Sequence, residues 1–542
     1  MKIIYTICCI ILAMQSTSAQ LVNWAKTGGG FGNDEIHAIS TQPSGTSYIG
    51  GNFYSPCNFD TSQLLLPDTA NAFIAKIDNL GTLIWVKYFP TPGNSTGTIT
   101  DVAAAWDGGC FMTGSWTDSI RLDSTLLIEN GSVNTFFSRL DQNGTLLWIK
   151  QASGTLNYSG SVVSNYLGDV YFTGKYYDSL TIDSTTIINT LIGDGSFIVK
   201  FDSTGQFRWL KNIQGSQINI NDIAIDNLGS IVITGRFSAT CIVDTTQLIS
   251  NGSNDLFIAK YDTTGQLLWV RQDGGGSEVS GNGISICPNN DILICGSYTS
   301  PSATFDTITI PYLSGDDFSG FVARYNQDGN VKWVNYQSSI NGDVWNYAVK
   351  QVTSNTIYFS GFFYDSLYFS NGSFMETGPA SYLAACDQDG NMIWVKKFAG
   401  GNFNFDFSLD SSERIYISGI FLDSIIVTPY QFNTQGQSDF FFAQLASHTV
   451  GIQHPVINSE LTISPNPSNG NIILRLSDAN FANSDLQVFD GLGVLVMQQK
   501  INQNHTTRII ELNLDPGLKS GIYTILWMNK DKRYSKRIVI HR

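Results

Sequence analysis

The sequence predicts an all-β protein built from one small sheet that is repeated along the chain. The first observation is composition: the 542 residues include 51 Gly, 33 Phe, 23 Tyr and 11 Trp, and only 14% are charged. Aromatic residues are favoured in strands and Gly in tight turns, so this composition is typical of many short strands joined by tight turns. The second observation is that no apolar stripe of helical period stands out, and the third is an internal repeat of about sixty residues.

Two markers define the repeat independently of each other. A strand that carries tryptophan recurs at intervals of 60 to 64 residues, at Trp24, Trp85, Trp148, Trp209, Trp269, Trp333 and Trp394. A glycine followed two places later by an aromatic residue also recurs, at Gly51/Phe53, Gly114/Trp116, Gly174/Tyr176, Gly235/Phe237, Gly296/Tyr298, Gly361/Phe363 and Gly419/Phe421. Both markers occur seven times.

Each repeat divides into four strands, labelled A to D here. In one repeat, period-2 alternation predicts strand A in NINDIAID, B in SIVITGRF, C in DLFIAKYD and D in QLLWVRQ. The turns DNLG and DTTG need only an Asp that bonds to its own turn and a Gly of positive φ. The turn DQDGN at Asp387–Asn391 is of the same type, so a calcium loop is not required to explain it. Four antiparallel strands repeated radially form the blades of a β-propeller.

The two ends of the repeated region predict how the ring closes. Leu21–Lys26 is a strand D without a strand C before it, whereas the last repeat has strands A to C and stops at Ser447 without a strand D. We therefore predict that Leu21–Lys26 pairs beside Asp439–Leu445 and closes a ring of seven blades. Trp24→Ala is then expected to destabilise the protein by about 3 to 5 kcal/mol if its ring is buried.

The repeats resemble a known family. Segments such as DLFIAKYDTTGQLLWVRQDGGG, followed by DILICGSYTSPSATFD, are similar to the bacterial β-propeller repeats abbreviated SBBP, over about residues 20–446. The resemblance implies a propeller. It implies no activity, because that family is defined by its scaffold and shares no catalytic motif.

The end of the chain differs in composition and charge. Residues 452–542 have a net charge of +3, whereas residues 20–451 have a net charge of −19. Alternating strands and tight turns predict a small β-sandwich. This region resembles the C-terminal sorting domain of the type IX secretion system of Bacteroidetes, at Pro465-Asn466-Pro467, Gly470, Asp490–Gly493, Leu518–Tyr523 (which includes Gly521 and Tyr523) and Lys536–Ile540. The resemblance implies the secretion machinery as a partner, and a surface or secreted location.

The remaining segments complete the predicted organisation. Lys2, the apolar run Ile3–Met14 and a cleavage site between Ala19 and Gln20 predict a signal peptide, and no later stretch of about 18 apolar residues predicts a membrane span. The domains are then signal peptide 1–19, propeller 20–446, linker 447–458 and sorting domain 459–542. We expect the six later cysteines to be buried thiols, with a Cys287–Cys295 disulfide as the alternative.

Candidate chemistry in the repeats is sparse. His37 is the only histidine before residue 448, which argues against histidine catalysis and zinc sites. Asp101, Asp222 and Asp406 each precede their marker glycine by thirteen residues, at the start of strand A. We hypothesise a weak Ca²⁺ site where these carboxylates line the channel mouth, the alternative being acids that bond to their own turns. No other cofactor and no catalytic residue is predicted.

Two functions remain open from the sequence. The first is a non-enzymatic surface or secreted protein that binds a glycan, a protein or another surface component, and the second is an extracellular polysaccharide hydrolase or lyase. The long connections between strands B and C, such as Thr299–Gly320, are the better place for a binding site. Negative charge argues against nucleic acid. The aromatic candidates outside the repeat pattern are Trp106, Tyr158, Trp345, Tyr347 and Phe403.

Overall fold

The computed structural model describes residues 21–446 and 461–541, apart from 55, 60–61, 65–69, 92–94, 129–132, 300–301, 312–317, 340–341, 353–354, 371–374, 378, 401–404, 466–467, 477–483, 490–494, 502–508 and 529–532. Within these residues all regular structure is β-strand, which confirms the all-β prediction. The predicted signal peptide with its Ala19–Gln20 site, the linker 447–458, Asn466, Pro467 and Phe403 lie outside the described residues.

The chain forms two compact units, residues 1–450 and 451–542. The strands of the first unit are, in chain order, β1 (Val22–Gly30), β2 (Glu35–Thr41), β3 (Ser47–Tyr54), β4 (Cys57–Phe59), β5 (Ser62–Leu64), β6 (Ala70–Ile77), β7 (Leu83–Phe89), β8 (Gly97–Ala104), β9 (Cys110–Trp116), β10 (Ser119–Leu122), β11 (Thr125–Ile128), β12 (Asn134–Leu140), β13 (Leu146–Ser164), β14 (Val170–Ile182), β15 (Thr185–Ile188), β16 (Asp194–Phe201), β17 (Phe207–Gly215), β18 (Ile218–Ile225), β19 (Ile231–Phe237), β20 (Thr240–Val243), β21 (Thr246–Ile249), β22 (Asp255–Tyr261), β23 (Leu267–Gly275), β24 (Glu278–Ile286), β25 (Ile292–Thr299), β26 (Ser302–Phe305), β27 (Ile308–Pro311), β28 (Ser319–Tyr325), β29 (Val331–Ser338), β30 (Val344–Lys350), β31 (Ile357–Phe363), β32 (Ser366–Phe369), β33 (Met375–Thr377), β34 (Ala380–Cys386), β35 (Met392–Ala399), β36 (Asp406–Leu409), β37 (Ile415–Phe421), β38 (Ser424–Val427), β39 (Tyr430–Asn433) and β40 (Asp439–Leu445).

The second unit contains β41 (Leu461–Ser464), β42 (Asn471–Leu476), β43 (Ser484–Phe489), β44 (Leu495–Ile501), β45 (Ile509–Asn513), β46 (Gly521–Met528) and β47 (Arg533–Ile540). They form one sheet in the order β41-β42-β45 and another in the order β44-β43-β46-β47. Residues of both sheets share one buried core around Trp527. Gly521 pairs with Ile540, and Lys536 lies in β47 opposite Ile525. The Tyr523 hydroxyl donates to the carbonyl of Lys519 at 2.9 Å.

The strands of the first unit group into seven antiparallel sets of four in the predicted order A-B-C-D. These sets, called repeats 1 to 7, are β2-β3-β6-β7, β8-β9-β12-β13, β13-β14-β16-β17, β18-β19-β22-β23, β24-β25-β28-β29, β30-β31-β34-β35 and β36-β37-β40-β1. The long strand β13 serves twice: Ala152 pairs with Thr135 in repeat 2, and Tyr158 pairs with Lys175 in repeat 3.

The last repeat takes its strand D from the start of the chain. β1 pairs antiparallel with β40, with Trp24 opposite Gln444 and Ala25 opposite Ala443. Ala446 also donates its N–H to the carbonyl of Leu21 at 2.9 Å. The predicted pairing of Leu21–Lys26 with Asp439–Leu445 is confirmed, and the strand continues further, to Gly30.

The innermost strands A of successive repeats contact one another. Contacts run from β2 through β8, β13, β18, β24 and β30 to β36, and β36 contacts β2 again. Hydrogen bonds span these junctions: the Ala104 N–H donates to Ser40 Oγ at 2.9 Å, and the Thr41 N–H donates to Ser408 Oγ at 3.0 Å. The repeats therefore follow each other in a cycle of contacts.

In six of the seven repeats, the tryptophan of strand D donates a hydrogen bond to the turn between strands C and D of the next repeat. Trp24 Nε1 donates to the Asn79 carbonyl at 3.2 Å, and Trp148 Nε1 donates to the Ser203 carbonyl at 3.2 Å. The turn glycine lies directly against the ring, since a Cβ on Gly81 would be 2.8 Å from the ring of Trp24. The ring of Trp24 is only partly buried, so the expected cost of 3 to 5 kcal/mol is too high.

The long connections between strands B and C contain hairpins that the sequence analysis treated as loops. β20 and β21 pair with each other, and β20 pairs with β17, the strand D of the preceding repeat. The hairpins β4-β5, β26-β27, β32-β33 and β38-β39 add to a preceding strand D in the same way. An unpaired strand D would be an exposed sheet edge, and these hairpins pair with its last one to three residues.

The six cysteines that the structure describes are free and buried, so the alternative of a Cys287–Cys295 disulfide is wrong. The turn at Asp387 is held by its own backbone, because Asp387 Oδ1 accepts from the N–H groups of Asp389 and Asn391 at 2.9 and 2.8 Å. This is the turn chemistry that the sequence predicts.

Candidate functional site

A cleft of about 420 Å³ lies where the ends of strands A and B of repeats 1 and 2 meet the start of repeat 3. The innermost strands β2, β8 and β13 and the ends of β3 and β9 supply most of its walls. It is lined by Asn33, Glu35, Asn52, Tyr54, Thr96, Gly97, Thr98, Thr100, Ser115, Trp116, Thr117, Val133, Tyr158 and Ser159. Twelve of these side chains carry a hydroxyl, an amide, a carboxylate or an indole N–H, so the lining is rich in hydrogen-bonding groups.

A larger depression of about 630 Å³ lies along strand D of repeat 4. Its walls include Trp269 and the turn Thr264–Gln266, and Asp244 and Lys211 close one side. Trp269 and this turn belong to the contacts that recur between repeats. We therefore place the candidate site in the smaller cleft, where, apart from the marker residue Trp116, the residue types differ from one repeat to the next.

One wall of the cleft carries a connected polar group. Nε2 of His37 lies 2.7 Å from Oδ1 of Asn52, and Thr98 Oγ1 donates to the same oxygen at 3.2 Å. An amide oxygen only accepts, so Nε2 of His37 carries a proton. Glu35 Oε2 lies 3.6 Å from the same nitrogen. Glu35 and His37 are two residues apart on β2 and thus share a face of the strand, which is the sequence signal for this pair.

The opposite wall is a set of hydroxyl groups that joins repeats 2 and 3. The hydroxyls of Ser115 and Ser159 lie 2.9 Å apart, and Thr100 Oγ1 donates to Ser159 Oγ at 2.8 Å. The Ser159 N–H donates to Ser115 Oγ at 3.1 Å. These bonds fix the hydroxyls in place, so that the wall presents an ordered polar surface.

Tyr54 and Tyr158 provide the exposed aromatic surface of the cleft. They are 37% and 44% exposed, whereas Trp116 beside them is buried in the core. Of the sequence candidates, Tyr158 is thus in the cleft. Trp106, 72% exposed, lies on the turn between strands A and B of repeat 2, and Trp345 packs against the rings of Phe318, Phe362 and Tyr364. Burial raises the pKa of Tyr347 to about 12.

Asp101, Asp222 and Asp406 lie in the innermost strands but serve the junctions between repeats. In each, Oδ1 accepts from the next residue's N–H, at 2.8, 2.8 and 2.7 Å respectively. The other oxygen accepts from strand A of the following repeat: Val162 N–H at 2.7 Å, Ile284 N–H at 2.9 Å and Ile39 N–H at 3.3 Å, respectively. Each carboxylate is thus already held by two backbone donors.

These carboxyl groups are also difficult to ionise together. Desolvation raises the pKa of Asp101 to about 8, against the lowering effect of the Val162 N–H, and raises that of Asp222 to about 6, against the charge of Lys350. Desolvation likewise raises the pKa of Asp406. Among the described residues, no group of three or more His, Cys, Asp or Glu side chains could hold a metal ion. The arrangement does not supply the clustered ligands that the Ca²⁺ hypothesis requires.

The C-terminal unit matches a known family. Residues 462–541 match the Secretion system C-terminal sorting domain family. The chain therefore carries a type IX sorting domain at this end, which implies export to the cell surface or beyond and interaction with the secretion machinery. The described residues form no helix that is long and apolar enough to cross a membrane.

The chain as a whole has more distant relatives. An uncharacterized WD repeat-containing protein of Acanthamoeba polyphaga mimivirus is 24% identical over 365 residues, a match that covers 54% of this chain and 26% of that protein. The chain thus spans much less than half of that relative.

Three solved structures are similar at low identity. A rhamnogalacturonan lyase of Bacillus licheniformis is 12% identical, with 95% of this chain and 91% of that chain covered and a TM-score of 0.30. PorZ, a surface component of the type IX secretion system of Porphyromonas gingivalis, is 9% identical, with 96% and 100% covered and a TM-score of 0.14. A protein of unknown function from Bacteroides caccae is 11% identical, with 60% and 89% covered and a TM-score of 0.30. All three TM-scores lie below 0.5, and no activity or ligand follows from them.

Proposed function

We propose that this chain is an exported, non-enzymatic glycan-binding protein whose binding site is the cleft above repeats 1 to 3. The observation that carries this proposal is the combination of two exposed tyrosines with ordered hydroxyl and amide groups in one cleft. The apolar C–H face of a sugar packs on an aromatic ring, and its hydroxyls need placed donors and acceptors. The lining offers both.

The scaffold we propose is a closed seven-bladed β-propeller of the SBBP type. Its support is the cycle of contacts among the seven innermost strands and the pairing of β1 with β40. In such a ring the cleft residues come from three neighbouring blades, so their relative positions depend on closure. Propeller loops on a rigid scaffold are a common place for ligands.

The proposed ligand is an uncharged saccharide. Glu35 is the only charged side chain among the described residues that line the cleft, and residues 20–451 have a net charge of −19. A uronic acid would meet repulsion from both. Neutral hexoses and their polymers fit the hydroxyl and amide lining without an unpaired charge.

Binding is favoured over polysaccharide cleavage by the charges of the cleft. A glycoside hydrolase ordinarily uses two carboxyl groups about 5 to 9.5 Å apart, and the described lining supplies one, Glu35. The alternative enzyme would have to draw its acid and base from Glu35, the neighbouring His37 and the hydroxyls of Tyr54 and Tyr158.

The test uses the full chain without its signal peptide on an array of neutral and acidic oligosaccharides. Tyr54→Ala and Tyr158→Ala should each weaken binding of a neutral glycan about tenfold, because each removes one stacking ring. Trp106→Ala is the matched control, since that ring is exposed outside the cleft. The proposal fails if the tyrosine variants bind like the parent. Release of reducing ends that Glu35→Gln abolishes would establish the enzyme instead.

A further inference from the structure

Two carboxyl groups meet at the place where the ends of the repeated region join. Asp34 follows β1 by four residues and is fully buried, and Asp439 begins β40 and is 2% exposed. Asp34 Oδ1 accepts from the Tyr54 N–H at 2.8 Å, and Asp439 Oδ2 accepts from the Gln435 N–H at 2.9 Å. The other oxygens, Oδ2 of Asp34 and Oδ1 of Asp439, are buried and have no hydrogen-bond partner.

This pair is placed against the strand that closes the ring. A Cβ on Gly29 of β1 would be 2.1 Å from Asp439 Oδ1, so the carboxyl group lies directly on the backbone of β1. The Asp34 N–H donates to the carbonyl of Ser438, the residue before Asp439, at 2.9 Å. Both acids are therefore part of the junction between repeat 7 and repeat 1.

Other junctions show which residues ordinarily occupy these two positions. The same backbone hydrogen bond joins Asn157 to Val133, Val279 to Asn254 and Val344 to Phe318, at 3.1, 3.0 and 2.8 Å. The equivalent residue pairs are thus Asn134 with Asn157, Asp255 with Val279, and Ser319 with Val344. Of the four junctions joined by this bond, the closing one alone has two carboxyl groups.

Two buried carboxylates that each keep one oxygen without a hydrogen-bond partner repel each other and lose their hydration, so the closed junction favours a protonated state. The titratable groups that act on the pair from the packed elements are Glu35 on β2 and Cys57 on β4, and neither is a cation. Desolvation, with a smaller contribution from the charge of Asp439, raises the pKa of Asp34 to about 7 against the lowering effect of the Tyr54 and Gly30 N–H groups. Desolvation also raises the pKa of Asp439, against the Gln435 and Gly30 N–H groups.

We propose that Asp34 and Asp439 form a proton-sensitive closure, in which the junction of β1 with β40 is held more tightly when the pair carries a proton. Raising the pH transfers this proton to water, and the two remaining negative charges oppose the pairing of β1. Opening restores hydration to the carboxylates, because the backbone of β1 leaves Asp439. The effect is confined to this junction, since the other junctions of this kind have one carboxyl group or none.

Hydrogen exchange of the full chain tests the closure directly. A group with a raised pKa stabilises the closed state below its ordinary pKa, near 4, and this stabilisation is lost as the pH rises to the closed-state value. Protection of Val22–Gly30, corrected for intrinsic exchange, should therefore fall about tenfold per pH unit from pH 5 to 7 and level off above. Leu267–Gly275, the strand D of repeat 4, should not show this fall.

Asp34→Asn/Asp439→Asn copies the Asn134 and Asn157 pair and should make the protection of Val22–Gly30 independent of pH. If the double variant does not fold, Asp34→Asn alone replaces it and should likewise remove the pH dependence. Asp255→Asn is the matched control at a junction with a single acid, and it should behave like the parent. The proposal is overturned if the parent shows no pH dependence in Val22–Gly30, if the amide variants keep it, or if Ca²⁺ at pH 8 restores protection in the parent, which would identify a cation site.

Discussion

Trp24 shows what one side chain contributes at the closing junction. Its indole N–H bonds to the Asn79 carbonyl, its ring covers the Gly81 turn, and it contacts the rings of Tyr416 and Phe442 edge-on. Because the ring is partly exposed, we expect Trp24→Ala to destabilise the first unit by about 2 kcal/mol rather than the full cost of a buried tryptophan. Chemical denaturation measures the change.

Two variants separate the contributions at this position. Trp24→Phe keeps most of the ring contact and loses the hydrogen bond, so about 1 kcal/mol should be lost. Trp269→Ala removes the same contact in repeat 4, where Trp269 Nε1 bonds to Gln327, and should cost a similar amount without weakening the closure. An unchanged denaturation midpoint for Trp24→Ala would show that its ring does not hold the junction.

Asp101 gives the stability of the first unit a pH dependence of defined sign. Its raised pKa means that the folded state binds a proton more tightly than the unfolded state, whose carboxyl titrates near 4. The stabilisation is fully present below pH 4 and is lost as the pH rises through about 8. We therefore expect the melting temperature of the parent to fall between pH 7 and 8, and Asp101→Asn to remove this fall.

Asp222→Asn is the control for that experiment. Asp222 occupies the same position in repeat 4, but its pKa is raised only to about 6, so its titration is nearly complete before pH 7. This variant should reduce the fall in melting temperature below pH 7, where Asp101 still contributes, and keep the fall above it. If Asp101→Asn keeps the fall, another group is responsible.

At this scale the sequence predicts residues whose role is set by their own backbone and misses those whose role is set by a neighbouring repeat. The Asp387 turn could be predicted from the five residues Asp387–Asn391 alone. The role of Asp101 could not, because its partner N–H, on Val162, is 61 residues away in the chain. The contact of His37 with Asn52 was missed for a different reason: both residues belong to repeat 1, but the contact depends on how the side chains of β2 and β3 meet across the strand pair.

Among the elements, the hairpins between strands B and C pair with part of the free edge of strand D. Strand D ends each four-stranded sheet, and its free edge would be open to pairing with other chains. The sequence predicts strands A to D from long alternating runs. It does not predict β20 and β21, because four residues each are too few for a period and their partner β17 lies in another repeat.

Replacing the hairpin Thr240–Ile249 with a flexible Gly-Ser segment should therefore expose the edge of β17. We expect species larger than the parent in light scattering, and a loss of stability because buried Cys241 and Val243 leave the core. The control changes Thr245 and Thr246 to other polar residues and keeps the hairpin. A variant that matches the parent in size and melting temperature would show that the hairpin does not protect the edge.

At the scale of the molecule, the pairing of the N-terminal strand β1 with β40 could be predicted because the two ends of the repeated region carry complementary parts of one sheet. The candidate cleft could not be predicted. Its walls come from β2, β8 and β13, which are far apart in sequence. Positions such as Glu35 and Thr98, or Asn52 and Ser115, are equivalent in repeats 1 and 2, but the residue type changes from one repeat to the next. A repeat marks what all copies share, whereas a ligand site depends on where the copies differ.

The two compact units predict that folding and sorting are separable. A chain that ends at Val450 keeps β40 and its pairing with β1, so its melting temperature should equal that of the first unit in the full chain. The same chain lacks residues 462–541, so it should remain inside the producing cell instead of reaching the surface. Calorimetry and fractionation of the expressing cells measure the two outcomes.

Trp527→Ala provides the matched perturbation of the second unit. Trp527 is fully buried in the core that both C-terminal sheets share, so its removal should lower the free energy of unfolding of that unit by about 3 to 5 kcal/mol. The transition of the first unit should stay in place, because the substituted core contains no residue of the repeats. The opposite outcome is a single unfolding transition whose temperature shifts both in the chain that ends at Val450 and in Trp527→Ala. It would mean that the repeats depend on the sorting domain for their stability, and the separation of folding from export would then be wrong.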